Sequence, residues 1–169
     1  MPELFLKPAD LQDERVVDGL LDQLTTYSMA AEGVPKTKDG ARQFLTAFPP
    51  GRASENKYAF LVVHGWEPVG LVDVIDGYPT ASVAFIGLLA VNESNQRKGL
   101  GRAAYKLVEQ FAQDELQAAT MRLAVVETNP VVGFWHKMGF RETGEVKPYA
   151  GEAKTVNAIL MQKSITLGG

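Results

Sequence analysis

The chain has 169 residues, 46% hydrophobic and 22% charged, with a formal net charge of −3 and no cysteine. This length and balance suit one globular domain over residues 1–169, burying roughly 70% of its unfolded surface, and exclude a disordered chain. Without cysteine there is no disulfide, thiolate metal site or cysteine nucleophile. His64 and His136 are too few and too far apart for a zinc site, so no metal is expected, and the acidic balance argues against nucleic acid.

The first residues, Met1-Pro2-Glu3-Leu4, lack a basic stretch followed by an apolar core, and the longest strongly apolar run, 81–91, is about half a membrane span. A cytoplasmic protein with no membrane partner is the expectation. Leu4, Phe5 and Leu6 predict a first strand. A helix follows, opened by Asp10, with Leu11, Val17, Leu20, Leu21 and Leu24 on its apolar face and a break at Gly33-Val34-Pro35. A short helix over 39–48 stops at Pro49-Pro50-Gly51. The polar stretch 52–57 reads as a mobile loop.

Residues 58–64 and 69–75 read as two strands joined by the hairpin Gly65-Trp66-Glu67-Pro68. A turn over 76–80 leads into a strand over 81–91. Leu100, Ala103, Ala104, Leu107, Val108, Phe111 and Ala112 recur at helical spacing, which predicts a helix to about residue 116. A strand over 121–126, a helix over 130–138 and closing strands over 141–146 and 156–163 complete the order, with 147–155 as a loop. A strand meander followed by a strand–helix–strand crossover predicts a mixed sheet with helices on both faces, an α/β (α+β) arrangement.

Gln96-Arg97-Lys98-Gly99-Leu100-Gly101-Arg102 places a glycine loop between a strand and a helix. Glycine lets a ligand approach the backbone, and the first-turn N–H groups, the helix dipole and the cations Arg97, Lys98 and Arg102 all favour an anion such as a pyrophosphate. A tight turn with an exposed basic helix start is the plainer alternative. The stretch does not match the P-loop, and no third glycine completes a dinucleotide fingerprint.

Leu89-Ala90-Val91, a short polar loop, then Gln96-x-x-Gly99-x-Gly101 resembles the acetyl-CoA motif of the GNAT superfamily of N-acetyltransferases. Asn129-Pro130-Val131-Val132-Gly133-Phe134-Trp135-His136-Lys137-Met138-Gly139-Phe140 is similar to the family's later helix ending in Gly-Phe. The resemblance is clear over 81–140. It implies a GNAT-like, mostly antiparallel central sheet whose one parallel pair splays apart to take the pantetheine arm of acetyl-CoA, the cosubstrate. On this chain Leu89 and Val91 would pair with pantetheine through their backbones, while 97–102, including Leu100 and Gly101, would hold the pyrophosphate. Asn129 is either a helix cap or a cofactor contact. Family chemistry is direct attack of an acceptor amine on the thioester.

The chain departs from the family at two positions. Trp135 stands where many members carry a tyrosine that protonates the departing sulfur, and it either lines the acyl end of the channel or packs in the core. His136 beside it points about 100° away and reads as a surface residue. Ile86-Gly87-Leu88 offers no carboxylate where some members place a general base. An amine of pKa near ~10 must lose a proton before attack, so another base or a water chain is needed, and Asp73 and Asp76 are the nearest candidates. Asp73 interrupts an apolar strand and so needs exposure, a partner or a role. Tyr27, Phe44, Phe48, Trp66, Tyr78 and Tyr149 fall in regions that wall the acceptor pocket in this fold.

Three functions fit: an acetyl-CoA-dependent N-acetyltransferase acting on a small-molecule or peptide primary amine, a non-catalytic acyl-CoA binder or sensor, and an unrelated phosphate-binding domain. The first accounts for both motifs. A homodimer is left open, and a charge of −3 says little about which amine is the acceptor.

Overall fold

A computed structural model describes residues 3–92, 96 and 98–165. Its seven strands form one sheet in the order β1-β2-β3-β4-β5-β7-β6. They are β1 (Leu4–Pro8), β2 (Lys57–His64), β3 (Glu67–Asp76), β4 (Val83–Val91), β5 (Thr120–Val126), β6 (Arg141–Ala150) and β7 (Thr155–Ser164). The helices are α1 (Glu14–Leu21), α2 (Thr25–Glu32), α3 (Gly40–Thr46), α4 (Leu100–Asp114) and α5 (Val132–Lys137). Pairing is antiparallel except between β4 and β5, the one parallel pair among the described residues. Among the described residues no helix is long and apolar enough to cross a membrane.

Alternating strand residues build an apolar layer on each face of the sheet. Val62, Val72, Val74, Ala84 and Ile86 face α4, where Ala104, Tyr105, Val108 and Ala112 supply the buried stripe. Ala59, Leu61, Val63 and Leu71 face the other way, onto Val17 and Leu20 of α1 and Phe44 and Leu45 of α3.

The feature that positions the site is a break between β4 and β5. They pair only from Val83↔Thr120 to Ile86↔Leu123. Beyond that point β4 stays with β3, from Leu88↔Asp73 to Val91↔Gly70, while β5 stays with β7, from Ala124↔Leu160 to Val126↔Ala158. The register of β3 on β4 shifts between Asp73 and Val74, leaving Gly87 as the unpaired extra residue. Such a bulge bends its strand and raises the local twist, which turns β4 away from β5.

Several expected boundaries differ. The stretch expected as one helix is a 3-10 turn at Leu11–Asp13, then α1, then α2. Leu24 N–H donates to the Leu21 carbonyl there, closing α1 before α2 begins. Lys57, expected in a loop, opens β2. The β6–β7 hairpin extends through the expected loop to Ala150↔Thr155. Pro148 is tolerated because β6 is an edge strand, where a missing N–H costs no ladder bond.

Candidate active site

The glycine loop enters α4 as the spacing predicts. Gly99 precedes the helix at φ +78°, in the left-handed region where a Cβ is penalised, and its carbonyl accepts from the Ala103 N–H. Leu100 and Gly101 open the helix, so their N–H groups have no intrahelical partner. Lys98 and Arg102 are exposed beside them; Arg97 lies outside the described residues. A Cβ at Gly101 would sit 3.8 Å from the Phe134 ring, which is ordinary contact. The Gln96 side chain donates from Nε2 to the Val91 carbonyl at 2.9 Å, tying the loop back to the end of β4. Leu89 is half-buried and Val91 buried, both on the stretch of β4 that has left β5.

The structure therefore fits an acyl-CoA arm at this place. β4 after Ile86 faces the gap without a ladder partner on that side, and the gap runs toward a helix start freed of side chains by glycine. Arg102 also lines a second cavity, of about 180 Å³, with Lys106, Glu109, Lys137 and Lys163. Glu109 is occupied there by Lys163 Nζ at 2.5 Å and by the Tyr105 hydroxyl, which donates at 3.0 Å.

Asn129 corrects one expectation. α5 starts at Val132 with Val131 before it and no side-chain cap. Asn129 instead sits in the turn after β5, its N–H donating to the Val126 carbonyl and its own carbonyl accepting from Val131 N–H. Gly139 ends the helix segment at φ +101°, as a left-handed stop.

Trp135 is 6% exposed and edge-to-face with Tyr105, Phe134 and Phe140, at centroid distances of 5.7, 4.9 and 5.3 Å. The neighbouring His136 points outward, with Nε2 2.5 Å from Glu142 Oε1, and this hydrogen bond is the main cause holding the Glu142 carboxyl below its usual range. A Trp135→Tyr variant is expected to lose roughly 1–3 kcal/mol in denaturant unfolding, with turnover of the folded fraction unchanged. Altered turnover at full stability would place the indole in the channel.

The acceptor-side candidates lie on the opposite face of the sheet, under α1 to α3. A cavity of about 240 Å³ opens there, lined by Tyr27, Glu32, Phe44, Lys57, Asp73 and Tyr149 among others. Asp73 lies opposite Leu88 at the bulge, and a Cβ on Gly87 would overlap its carboxylate. Glycine at 87 thus both bends β4 and leaves room for the acid. Lys57 Nζ is 2.8 Å from Asp73 Oδ1 and 5.5 Å from the centre of the Phe44 ring, with its side chain only 6% exposed. Burial pushes the Asp73 carboxyl above the usual carboxylate range, and the adjacent Lys57 ammonium pulls it part of the way back.

Glu32 ends α2, and its Oε2 is buried with no hydrogen bond. Burial first, then the neighbouring Glu32 carboxylate, raises the pKa of the Tyr149 phenol. Tyr27 is pushed up to about 12, mainly by burial, then by the charges of Glu32 and Asp73. Both phenols thus remain protonated donors through the neutral range. The turn joining β6 to β7 fixes this end of the cavity: Ala153 N–H donates to the Glu32 carbonyl at 2.7 Å, and Lys38 N–H to Glu152 Oε2 at 3.0 Å.

Of the two expected carboxylates, Asp73 lines the cavity, while Asp76 ends β3 opposite Ala84 and does not. Tyr27, Phe44 and Tyr149 line it too. Tyr78 instead packs on Phe85 at 5.3 Å, Phe48 is exposed, and Trp66 is fully exposed at the hairpin tip. Lys57 and Glu32 carry no local sequence signal: one opens a strand from a polar run, the other precedes a helix break.

The model for the acetyltransferase (GNAT) family matches residues 21–140. The chain superposes on an acetyltransferase from Thermus thermophilus with TM-score 0.74 and 26% identity, covering 98% of this chain and 100% of that one. A spermidine N-acetyltransferase from Vibrio cholerae, in complex with CoA and spermine, gives 0.69 at 18% identity, covering 95% of each. The ribosomal-protein-S18-alanine N-acetyltransferase from Escherichia coli gives 0.66 at 17%, covering 99% and 97%. No curated protein matches. Fold and split sheet define an acyltransferase, and the chain belongs to the acetyltransferase (GNAT) family.

Proposed function

We propose that the protein, acting as one domain over residues 1–169, acetylates a primary amine from acetyl-CoA, with Asp73 as the base. The observation that carries this reading is the Asp73 carboxylate inside a cavity at the point where β4 leaves β5. Bound acetyl-CoA supplies a thioester whose C–S bond breaks as the amine's N–C bond forms, the electron pair leaving on sulfur.

The remaining roles belong to the chain. Lys98, Gly99, Leu100, Gly101 and Arg102, with Arg97, hold the pyrophosphate through first-turn N–H groups and cationic side chains. The backbones of Leu89 and Val91 flank the arm, and Gln96 secures the loop to β4. Asp73 takes the proton that an acceptor ammonium must lose, and its raised pKa brings it nearer to that of its proton donor. Lys57 favours the ionised form of Asp73 and so opposes the effect of burial. No side chain need protonate the departing thiolate, since a thiol of pKa near ~8.5 leaves as thiolate at only a modest penalty.

Binding is tested by melting. Acetyl-CoA at about a hundred times its Kd will raise Tm by roughly 5–10 °C, and pantetheine alone by much less. Gly101→Asp puts an anion where the phosphates sit; because its Cβ has room, the variant will fold and lose most of the shift. An undiminished shift would remove the pyrophosphate assignment. Amine-dependent thiol release tests the acceptor half.

A further inference from the structure

The acceptor cavity holds more negative charge than the proton transfer uses. Of its lining cations, Lys57 is committed to Asp73, and Lys36 is committed to Asp18 and Asp22 at 2.7 and 2.8 Å. Among the described residues no lysine or arginine is paired with Glu32. Its Oε2 is buried with nothing to accept from.

The last residue of a helix is a poor place for a half-buried carboxylate without a cation, since the dipole is negative there. The fold nonetheless fixes Glu32 firmly. Gly151 is pressed against the Ala31 carbonyl and the Glu32 Cα, where any Cβ would clash, and Ala153 bonds the Glu32 carbonyl. Thr128 Oγ1 holds the neighbouring Ala30 carbonyl at 2.7 Å. Around the carboxylate stand the phenols of Tyr27 and Tyr149, whose faces and oxygens both suit an ammonium group.

Asp73 is not an equivalent cation site. Lys57 already balances its charge, and it lies at the bulge beside the parting of the strands. The two carboxylates therefore serve different ends of one ligand. The cavity, at about 240 Å³, is below the ~300–1,000 Å³ of drug-sized ligand sites, so the inserted part is small.

We propose that the acceptor carries a second amine that stays protonated, held by Glu32 between Tyr27 and Tyr149, while its reacting amine loses a proton to Asp73. The inference rests on the acetyl-transfer reading above. A short α,ω-diamine has this chemistry; a monoamine leaves Glu32 bare.

The test compares 1,4-diaminobutane with 1-aminobutane, first by calorimetric titration without acetyl-CoA and then by turnover. Wild-type protein will bind the diamine at least about tenfold more tightly, the low end for a charged hydrogen-bonding partner. In Glu32→Gln that ratio will fall to within about twofold of unity, through the diamine's KM more than its kcat. Equal binding of the two amines to wild-type protein overturns the inference without any variant. Retention of the preference in a folded Glu32→Gln protein overturns it equally. Preferred diamine binding with no turnover of any amine leaves the Glu32 site standing and overturns the acetyl-transfer reading alone.

Discussion

Asp73→Asn is expected to lower kcat/KM for amine acetylation by about 10²–10⁴-fold near neutral pH, the range a positioned general base supplies. The deficit will shrink toward pH 9, where more of an amine of pKa near ~10 is already unprotonated. The substitution also leaves the Lys57 ammonium without its partner in a side chain only 6% exposed. Breaking a buried pair costs several kcal/mol; here roughly 3 is expected, since the cavity admits water. A second variant separates the two effects. Lys57→Met combined with Asp73→Asn removes the stranded charge and will recover most of the stability, while activity stays low. If the double variant recovers activity with stability, Asp73 serves the fold alone. Equal loss at pH 7 and pH 9 would make it a positioning residue instead.

Lys57→Met alone is expected to move the acidic limb of the kcat/KM profile upward. Burial raises the Asp73 pKa and Lys57 opposes it, so removing the cation leaves burial unopposed. The base proposed here, Asp73, would work only when ionised. The limb will shift to higher pH, the direction expected when a nearby opposite charge is removed. The variant will therefore lose more activity on the acidic side of the profile than on the alkaline side. A limb that stays in place would show that another group sets it.

The glycine-loop half of the proposed site is legible in sequence because it is local. A strand, a glycine and a 15-residue amphipathic helix lie within about 35 positions, and Gly99 stands where a left-handed residue is required. Both the parallel β4–β5 pair and the antiparallel β2–β3 hairpin follow from that order of elements. The cavity proposed for the acceptor is not local. Glu32, Lys57, Asp73 and Tyr149 come from α2, β2, β3 and β6, and no spacing relates them. Asp73 shows as a charge in an apolar strand, yet its partner Lys57 sits in a polar run that reads as loop. The far end of the cavity depends on the long β6–β7 hairpin, whose Gly144 and Pro148 hide its strand character, and nine of ten β6 residues are exposed. An edge strand exposed on both faces carries no alternation to detect. Trp135 shows a different limit: its position suggests the channel, and the structure adds three aromatic neighbours that the sequence does not show.

The central claim is that this cavity turns over acetyl-CoA on an amine, and thiol release measures it directly. Wild-type protein with acetyl-CoA and a panel of primary amines will release coenzyme A only when an amine is present. Mass spectrometry will find one acetyl group on the amine for each thiol released, and the rate will rise with pH as the free amine grows. Saturable acetyl-CoA binding with no amine-dependent release, across a panel that includes diamines, would contradict the account and make the protein an acyl-CoA binder.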